Sequence, residues 1–395
     1  MKRFDGLGLR NRRAIPWESI PLERPAKFRE TVLGAIGGGW RLVSFFGLPD
    51  GGAETRLVAI LADDGRGELG AVSARVEERY DALTPDCPQA APFEREIAEQ
   101  CAVVPEGHPR LTPLRRHAPD HAPPGRHAPL LDREAYPFLR VEGEEVHEVG
   151  VGPVHAGIIE PGHFHFQAHG ESVLALDIML GYQHRGVELL LEQADPERGV
   201  LIAESIAGDT VIGHAGAYCG ALEALARSRK TPRAQSIRGI ALELERLANH
   251  IGDLGALAGD VAFAPAAAAL GRLRGEALNL LLILSGNRYG RGLVRPGGVA
   301  FDIPDDMAVR MRERVEQLRT DLEPALRVLF GSASVQARFE GVGVVPKQAC
   351  AGHGYVGLVA RACEVARDVR HDHPYGIFRF AHIPVATAWA GDVLA

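Results

Sequence analysis

From residue 111 to 137 the chain strings together proline, histidine and arginine with no apolar period. Such a stretch has no face to bury as a helix or strand, so it reads as an exposed connection between two separately cored parts. The division falls as a small domain over 1–115, a linker over 116–145 and a larger domain over 146–395. In the first part, residues 36–61 hold two apolar runs on either side of Pro49-Asp50-Gly51-Gly52, the pattern of a β-hairpin. A charged stretch at 91–100 follows and predicts a helix. The small domain is therefore α+β.

Beyond the connection, residues 163–177 partly alternate around His169-Gly170-Glu171 and predict a second hairpin. After Tyr182 the pattern changes to helical. Between 236 and 257, Ile237, Ile240, Leu244, Leu247, Ile251 and Leu254 recur at spacings of three and four, which is the stripe of an amphipathic helix. Glu243, Arg246, Asn249 and His250 share the opposite side and read as a solvated ion-pair row. Further helices are expected at 197–228, 265–287, 305–330 and 354–370. The class is α+β, with a hairpin set against a helical bundle, and residues 389–395 read as the start of one more helix.

A net charge of −7 removes nucleic acid from the candidate partners, because phosphate binding needs a basic face. The basic run at 110–126 belongs to the connection. The basic residues 1–13 lead into no apolar stretch and so do not read as a secretion signal. The longest apolar run, 277–285, is about half of what a bilayer-spanning helix needs. Five cysteines, Cys87, Cys101, Cys219, Cys350 and Cys363, include no C-x-x-C pair, so they read as reduced, buried thiols. P-loop, nucleophile-elbow and dinucleotide fingerprints are absent from the sequence.

Three stretches carry residues suited to chemistry. Arg291-Gly-Leu-Val-Arg295-Pro-Gly-Gly-Val299 combines guanidinium groups with a turn whose backbone can approach another group closely; as a bare pattern it is equally a helix-connecting loop. Gln183-His184-Arg185-Gly186-Val187-Glu188 sets an imidazole and a guanidinium where a strand gives way to a helix, suited to proton handling or to tying the junction together. Residues 204–218 read as a helix poor in bulky groups, with Asp209 and His214 at its surface, which admits a cofactor or merely tight helix packing.

Taken with Gly152-Pro-Val-His155, Glu243-Leu-Glu-Arg246-Leu-Ala-Asn249-His250 and Arg367-Asp-Val-Arg370 followed by Pro374-Tyr375, the stretches Gly181-Tyr-Gln-His-Arg-Gly-Val-Glu188 and Arg295-Pro-Gly-Gly-Val299 give five motifs in order. Residues 147–395 thereby resemble the large subunit of energy-converting [NiFe] hydrogenases and the quinone-pocket subunit of respiratory complex I. The front part is similar to the small peripheral-arm subunit through Phe93-Glu-Arg-Glu96 and Glu106-Gly-His-Pro109. The resemblance implies a natural fusion of the two, a peripheral protein on the cytoplasmic face of the inner membrane. Its implied partners are an iron–sulfur subunit carrying the cluster, membrane-arm subunits and possible quinone.

In hydrogenases of this family two C-x-x-C pairs bind nickel and iron. Here the first pair's slots hold Ala207 and Thr210, and neither side chain offers a thiolate, so the resemblance implies no metal ligand in this chain and speaks against nickel; the second pair's slots would fall past Ala395. In the complex I relative a histidine and a tyrosine hold the quinone headgroup, and those slots hold Ile159 and Pro196. A one-residue insertion moves the histidine slot to Glu160, which resembles a proton-gating glutamate and is expected at a buried hairpin tip. The implied catalytic set is Glu160, His155, His184, Asp209 and His214. The implied cofactor-binding set is Arg185, Glu204, Arg246, His250 and Arg295. The function these imply is a subunit of a complex-I-like or hydrogenase-related oxidoreductase, coupling electron transfer from the iron–sulfur partner to quinone reduction or proton handling. The alternatives are a non-catalytic scaffold and a true [NiFe] hydrogenase subunit.

Overall fold

The computed structural model describes residues 4, 6–116, 119–123, 136–155 and 160–395. These gather into two compact units: one holds Ile15–Arg185 with Gln348–Val356, the other Arg12–Ala14, Gly186–Lys347 and Gly357–Ala395.

In the first unit a five-stranded sheet comprises β1 (Leu7–Leu9), β2 (Leu22–Glu23), β3 (Arg41–Pro49), β4 (Thr55–Asp63) and β5 (Glu68–Val76). Strands β3, β4 and β5 form an antiparallel meander, while β1 antiparallel and β2 parallel share the other edge of β5. The expected first hairpin is β3–β4. Its turn needs Gly51 and Gly52, which take φ of 89° and 57°, conformations that a Cβ disfavours. Helices α1 (Pro25–Gly37) and α2 (Ala91–Gln100) supply Phe28, Val32 and Ile97 to a core with Phe45, Leu57, Leu61 and Val72. Two short strands, β6 (Arg79–Asp81) and β7 (Val104–Glu106), pair in parallel.

The front motif is a backbone clamp. Glu94, fully buried, accepts hydrogen bonds from the amides of Leu83 and Thr84 and from the Thr84 hydroxyl. Arg95 donates to the carbonyls of Thr112 and Pro113 at 2.8 and 3.0 Å, and Glu99 accepts from the amides of Leu114, Arg115 and Arg116. Residues 112–116 are consequently pinned rather than freely exposed, unlike the expectation for that stretch. Residues 117–118 and 124–135 of the connection lie outside the described residues.

A second antiparallel sheet, in the order β10-β9-β8, consists of β8 (Val146–Val151), β9 (His163–His169) and β10 (Ser172–Met179), and contains the second expected hairpin. It belongs to the first compact unit, which runs on to Arg185. The physical tie is Asp177, buried in β10, which pairs with Arg110 and accepts from the amide of Leu139.

The second unit is helical: α3 (Val187–Glu192), α4 (Pro196–Ala203), α5 (Val211–Leu225), α6 (Pro232–Asp260), α7 (Ala264–Ser285) and α8 (Asp305–Gly331), with β11 (Val294–Arg295) and β12 (Gly298–Val299) as a small ribbon after α7. The Thr231 hydroxyl accepts from the amide of Ala234 and Pro232 follows, a strong start signal for α6. Ile237, Leu244 and Ile251 of its stripe are buried against α5, α7 and α8, whereas Ile240 stays 45% exposed. Gly286, left-handed at φ 73°, ends α7.

Two helix expectations fail. The span 197–228 is broken at 204–210, because side chains from elsewhere cap the second helix, as shown below. The span 354–370 contains only the short turns Gly357–Ala362 and Val369–Asp372. Gly354, Gly357 and Glu364 take φ of 69°, 68° and 62°, through which a right-handed helix cannot run. Residues 389–395 are not helical either. The Asp392 carboxylate accepts from the amides of Gly341 and Ala395, and Gly391 donates to the Ala362 carbonyl. Among the described residues no helix is long and apolar enough to cross a membrane.

Candidate functional site

In the second unit the 291–302 turn is fastened by one buried ion pair. Glu223 of α5, 2% exposed, accepts from Arg238 of α6 at 2.7 and 3.2 Å, from Lys230 at 3.1 Å and from the amide of Gly297 at 2.9 Å. The same guanidinium donates to the carbonyls of Arg295 and Gly298 at 2.6 and 2.7 Å. Burial would raise the Glu223 carboxyl, but the bonds from Arg238, Gly297 and Lys230 outweigh it and hold the group below its ordinary range. Arg295 is half-buried and lies over Gly292, where an added Cβ would come 3.6 Å from its Nη2.

Glu204, also 2% exposed, links this turn to the end of α4 by accepting from the amide of Gly292 at 2.8 Å. Residues 205–210 then cross to α5, whose first turn leaves amides without helical partners. Those of Ile212 and Gly213 donate to Glu245 of α6 at 2.6 and 3.0 Å. Burial pushes the Glu245 carboxyl up to about 7 against the pull of the two amide bonds, and the Asp209 carboxylate adds to the rise. Asp209 is exposed, and its carbonyl accepts from Asn249 at 3.1 Å. The His214 Nδ1 sits 2.8 Å from the Thr210 carbonyl and 3.0 Å from its hydroxyl.

This segment does not fit a nickel–iron centre. Ala207 has no donor atom, and the hydroxyl of Thr210 is engaged with His214. Burial pushes the Cys219 thiol in α5 up to about 11, away from the thiolate that a soft metal needs.

The α6 face expected to be a solvated ion-pair row is a half-buried cluster. Arg370, 8% exposed, donates to Glu243 at 2.7 Å and grips Asp368 with two bonds of 3.0 and 2.7 Å; Arg246 lies 3.5 Å from Glu243. Burial first, and then the neighbouring Arg246, lower the pKa of His250 and favour its neutral form. Beside this cluster, Arg12 stacks 3.7 Å over the ring of Tyr375 and donates to the carbonyl of Gly216 at 2.9 Å. Thus Glu204, Asp209, His214, Arg246, His250 and Arg295 share one helical unit, and Glu245, Glu223 and Arg238 complete its polar frame. Sequence reasoning passed over these three. For Glu245 a signal existed: an acid four residues after Ala241 and three before Ala248, both buried, points inward.

His155, Glu160, His184 and Arg185 belong to the first unit. The His155 ring meets Phe164 edge-on at 5.8 Å. Glu160 is exposed and lies in the loop that joins the antiparallel strands β8 and β9, so the expected burial is corrected. Ile159 lies outside the described residues, and Pro196 is the first residue of α4. His184, half-buried, and Arg185, exposed, lie between β10 and α3. Gly181, at φ 92°, makes that turn, where an added Cβ would meet the Leu114 carbonyl at 2.7 Å.

A family profile described as the 49 Kd subunit of the respiratory-chain NADH dehydrogenase matches residues 260–395. The chain is 30% identical over 344 residues to formate hydrogenlyase subunit 5 of Escherichia coli, covering 82% of this chain and 60% of that protein. It is likewise 30% identical over 246 residues to the carbon monoxide-induced hydrogenase of Rhodospirillum rubrum, covering 62% and 68%. To a subunit of the NADH-quinone oxidoreductase of Saccharopolyspora erythraea it is 29% identical over 253 residues, covering 64% and 56%. The chain thus spans about 60% of the length of formate hydrogenlyase subunit 5.

Proposed function

This chain belongs to the family that unites the 49-kDa subunit of respiratory-chain NADH dehydrogenase with hydrogenase large subunits, and on that footing we propose that it is a subunit of a membrane-associated oxidoreductase that works without a nickel–iron centre. It couples electron transfer from an iron–sulfur partner subunit to quinone reduction or proton handling. The observation that carries the reading is the mismatch at 204–210: Glu204 still holds the 291–302 turn through the amide of Gly292, while Ala207 and Thr210 stand where thiolates would be.

In this reading Arg246 and His250 form the polar wall. A neutral imidazole beside guanidinium groups takes up a proton when negative charge arrives nearby, so electron arrival and proton uptake are linked there. His214 and Asp209 offer further proton-carrying groups. Lacking a helix that can cross a bilayer among its described residues, the chain attaches peripherally, through membrane-arm subunits, at the cytoplasmic face.

The test is Arg246→Met and Glu204→Gln in the assembled complex. Both are expected to assemble and to lose roughly tenfold or more of electron-transfer rate, the scale of a misplaced reacting group. Full activity in assembled variants would support the scaffold reading instead.

A further inference from the structure

We propose that Glu245 is a proton-operated latch: as a carboxylate it pins the first turn of α5 and the Gly208–Thr210 stretch before it, and uptake of one proton releases that pin. The argument is one of donors and acceptors. Each carboxyl oxygen accepts from one backbone amide, at 2.6 Å from Ile212 and 3.0 Å from Gly213, and both bonds are strengthened by the carboxylate charge. A proton on either oxygen removes the negative charge that assists both bonds and makes the hydroxyl oxygen the poorer acceptor, so the hold on the two amides weakens.

The surroundings favour the exchange. Glu245 is 5% exposed, and among the described residues no cationic side chain is bonded to it, so its charged form rests on the two amides. The Asp209 carboxylate, from the irregular segment, adds a second negative charge that raises the Glu245 carboxyl further. Tyr375, under the guanidinium of Arg12, is another titratable group that feels the Glu245 charge. Gly213 leaves room for the close approach: an added Cβ would stand 3.3 Å from the Glu245 Oε1. A carboxyl raised to about 7 makes the exchange near neutral pH. The proton comes from solvent and no bond between heavy atoms changes. The latch extends beyond the oxidoreductase reading and does not depend on it, because it is read in the isolated chain.

Hydrogen exchange of peptides covering 204–216, in the full 395-residue chain, tests it at pH 6 and pH 8 after correction for intrinsic exchange. The expected result is exchange roughly three- to tenfold faster at pH 6, the scale of a lost charge-assisted bond. In Glu245→Gln the segment should exchange fast at both values, since the amide group can accept from only one of the two N–H groups. Peptides covering 290–300, held by Glu223, serve as the internal control and should show no such dependence. Corrected exchange of 204–216 that is the same at both pH values, or that changes in step with 290–300, overturns the latch, and these two comparisons need no variant. Persistence of the dependence in Glu245→Gln overturns it as well.

Discussion

Glu223 and Glu245 are the same residue type, equally out of water and set on adjacent helices of one unit, yet their carboxyls move in opposite directions. Glu223 is 2% exposed and falls below its ordinary range, whereas Glu245 is 5% exposed and rises to about 7. The difference lies in the partners. Arg238 and Lys230 bring cationic charge to Glu223, while Glu245 has two backbone amides and feels the negative charge of Asp209. Burial penalises both charged forms; at Glu223 the bonds from Arg238, Gly297 and Lys230 outweigh that penalty, and at Glu245 the two amide bonds do not. One carboxylate is a fastener that stays ionised; the other is poised to change state.

The largest effect should come from breaking the fastener. Glu223→Ala leaves Arg238 and Lys230 facing no carboxylate and the amide of Gly297 without its acceptor, and is expected to cost about 3–5 kcal/mol. Denaturant unfolding of the second unit checks this; a loss under about 1 kcal/mol would mean the ion pair is dispensable.

Next comes the pH dependence of the latch. Because the folded Glu245 carboxyl is raised from 4.5 to about 7, the folded state holds the proton more tightly. Stability contributed by this group therefore falls as pH climbs from about 4.5 to 7, by on the order of 3 kcal/mol, and levels off above. Glu245→Gln lacks that fall, so its stability relative to the unsubstituted chain should improve across this window. Glu223 has the opposite sign. Its depressed carboxyl stabilises above 4.5 and loses that contribution as pH drops through the lowered folded value, so it is silent between pH 6 and 8.

A finer dissection is Lys230→Met. Its ammonium is 3.1 Å from Glu223, but Arg238 remains, so the expected cost is about 1 kcal/mol, measured in the same unfolding assay. The smallest effect belongs to Glu160→Gln. That carboxylate is exposed, and its loss should change stability by less than about 0.5 kcal/mol.

The elements with strong local signals were legible. The stripe of α6 follows from its period of three and four, and both hairpins follow from glycine-bearing turns at 51–52 and 170. What escaped was set by distant partners. Residues 204–210 are helical in composition, yet Glu204 is drawn to Gly292 and Glu245 reaches from α6 to begin α5 anew. The break thus depends on groups 88 and 33 residues away, which no local window contains. Between 354 and 370 the apolar period suggested a helix, but left-handed Gly354, Gly357 and Glu364 divide it. The motif residues around Arg246 were located correctly as one face. Their burial was not legible, because it requires Arg370 and Asp368 to fold back onto that face.

The central claim is that this family member keeps the polar frame of the site and lacks the nickel–iron centre. Elemental analysis of the purified complex containing the full-length protein tests it most directly: the account predicts iron from the partner subunit with nickel at trace level, and nickel in one-to-one ratio with this chain would contradict it.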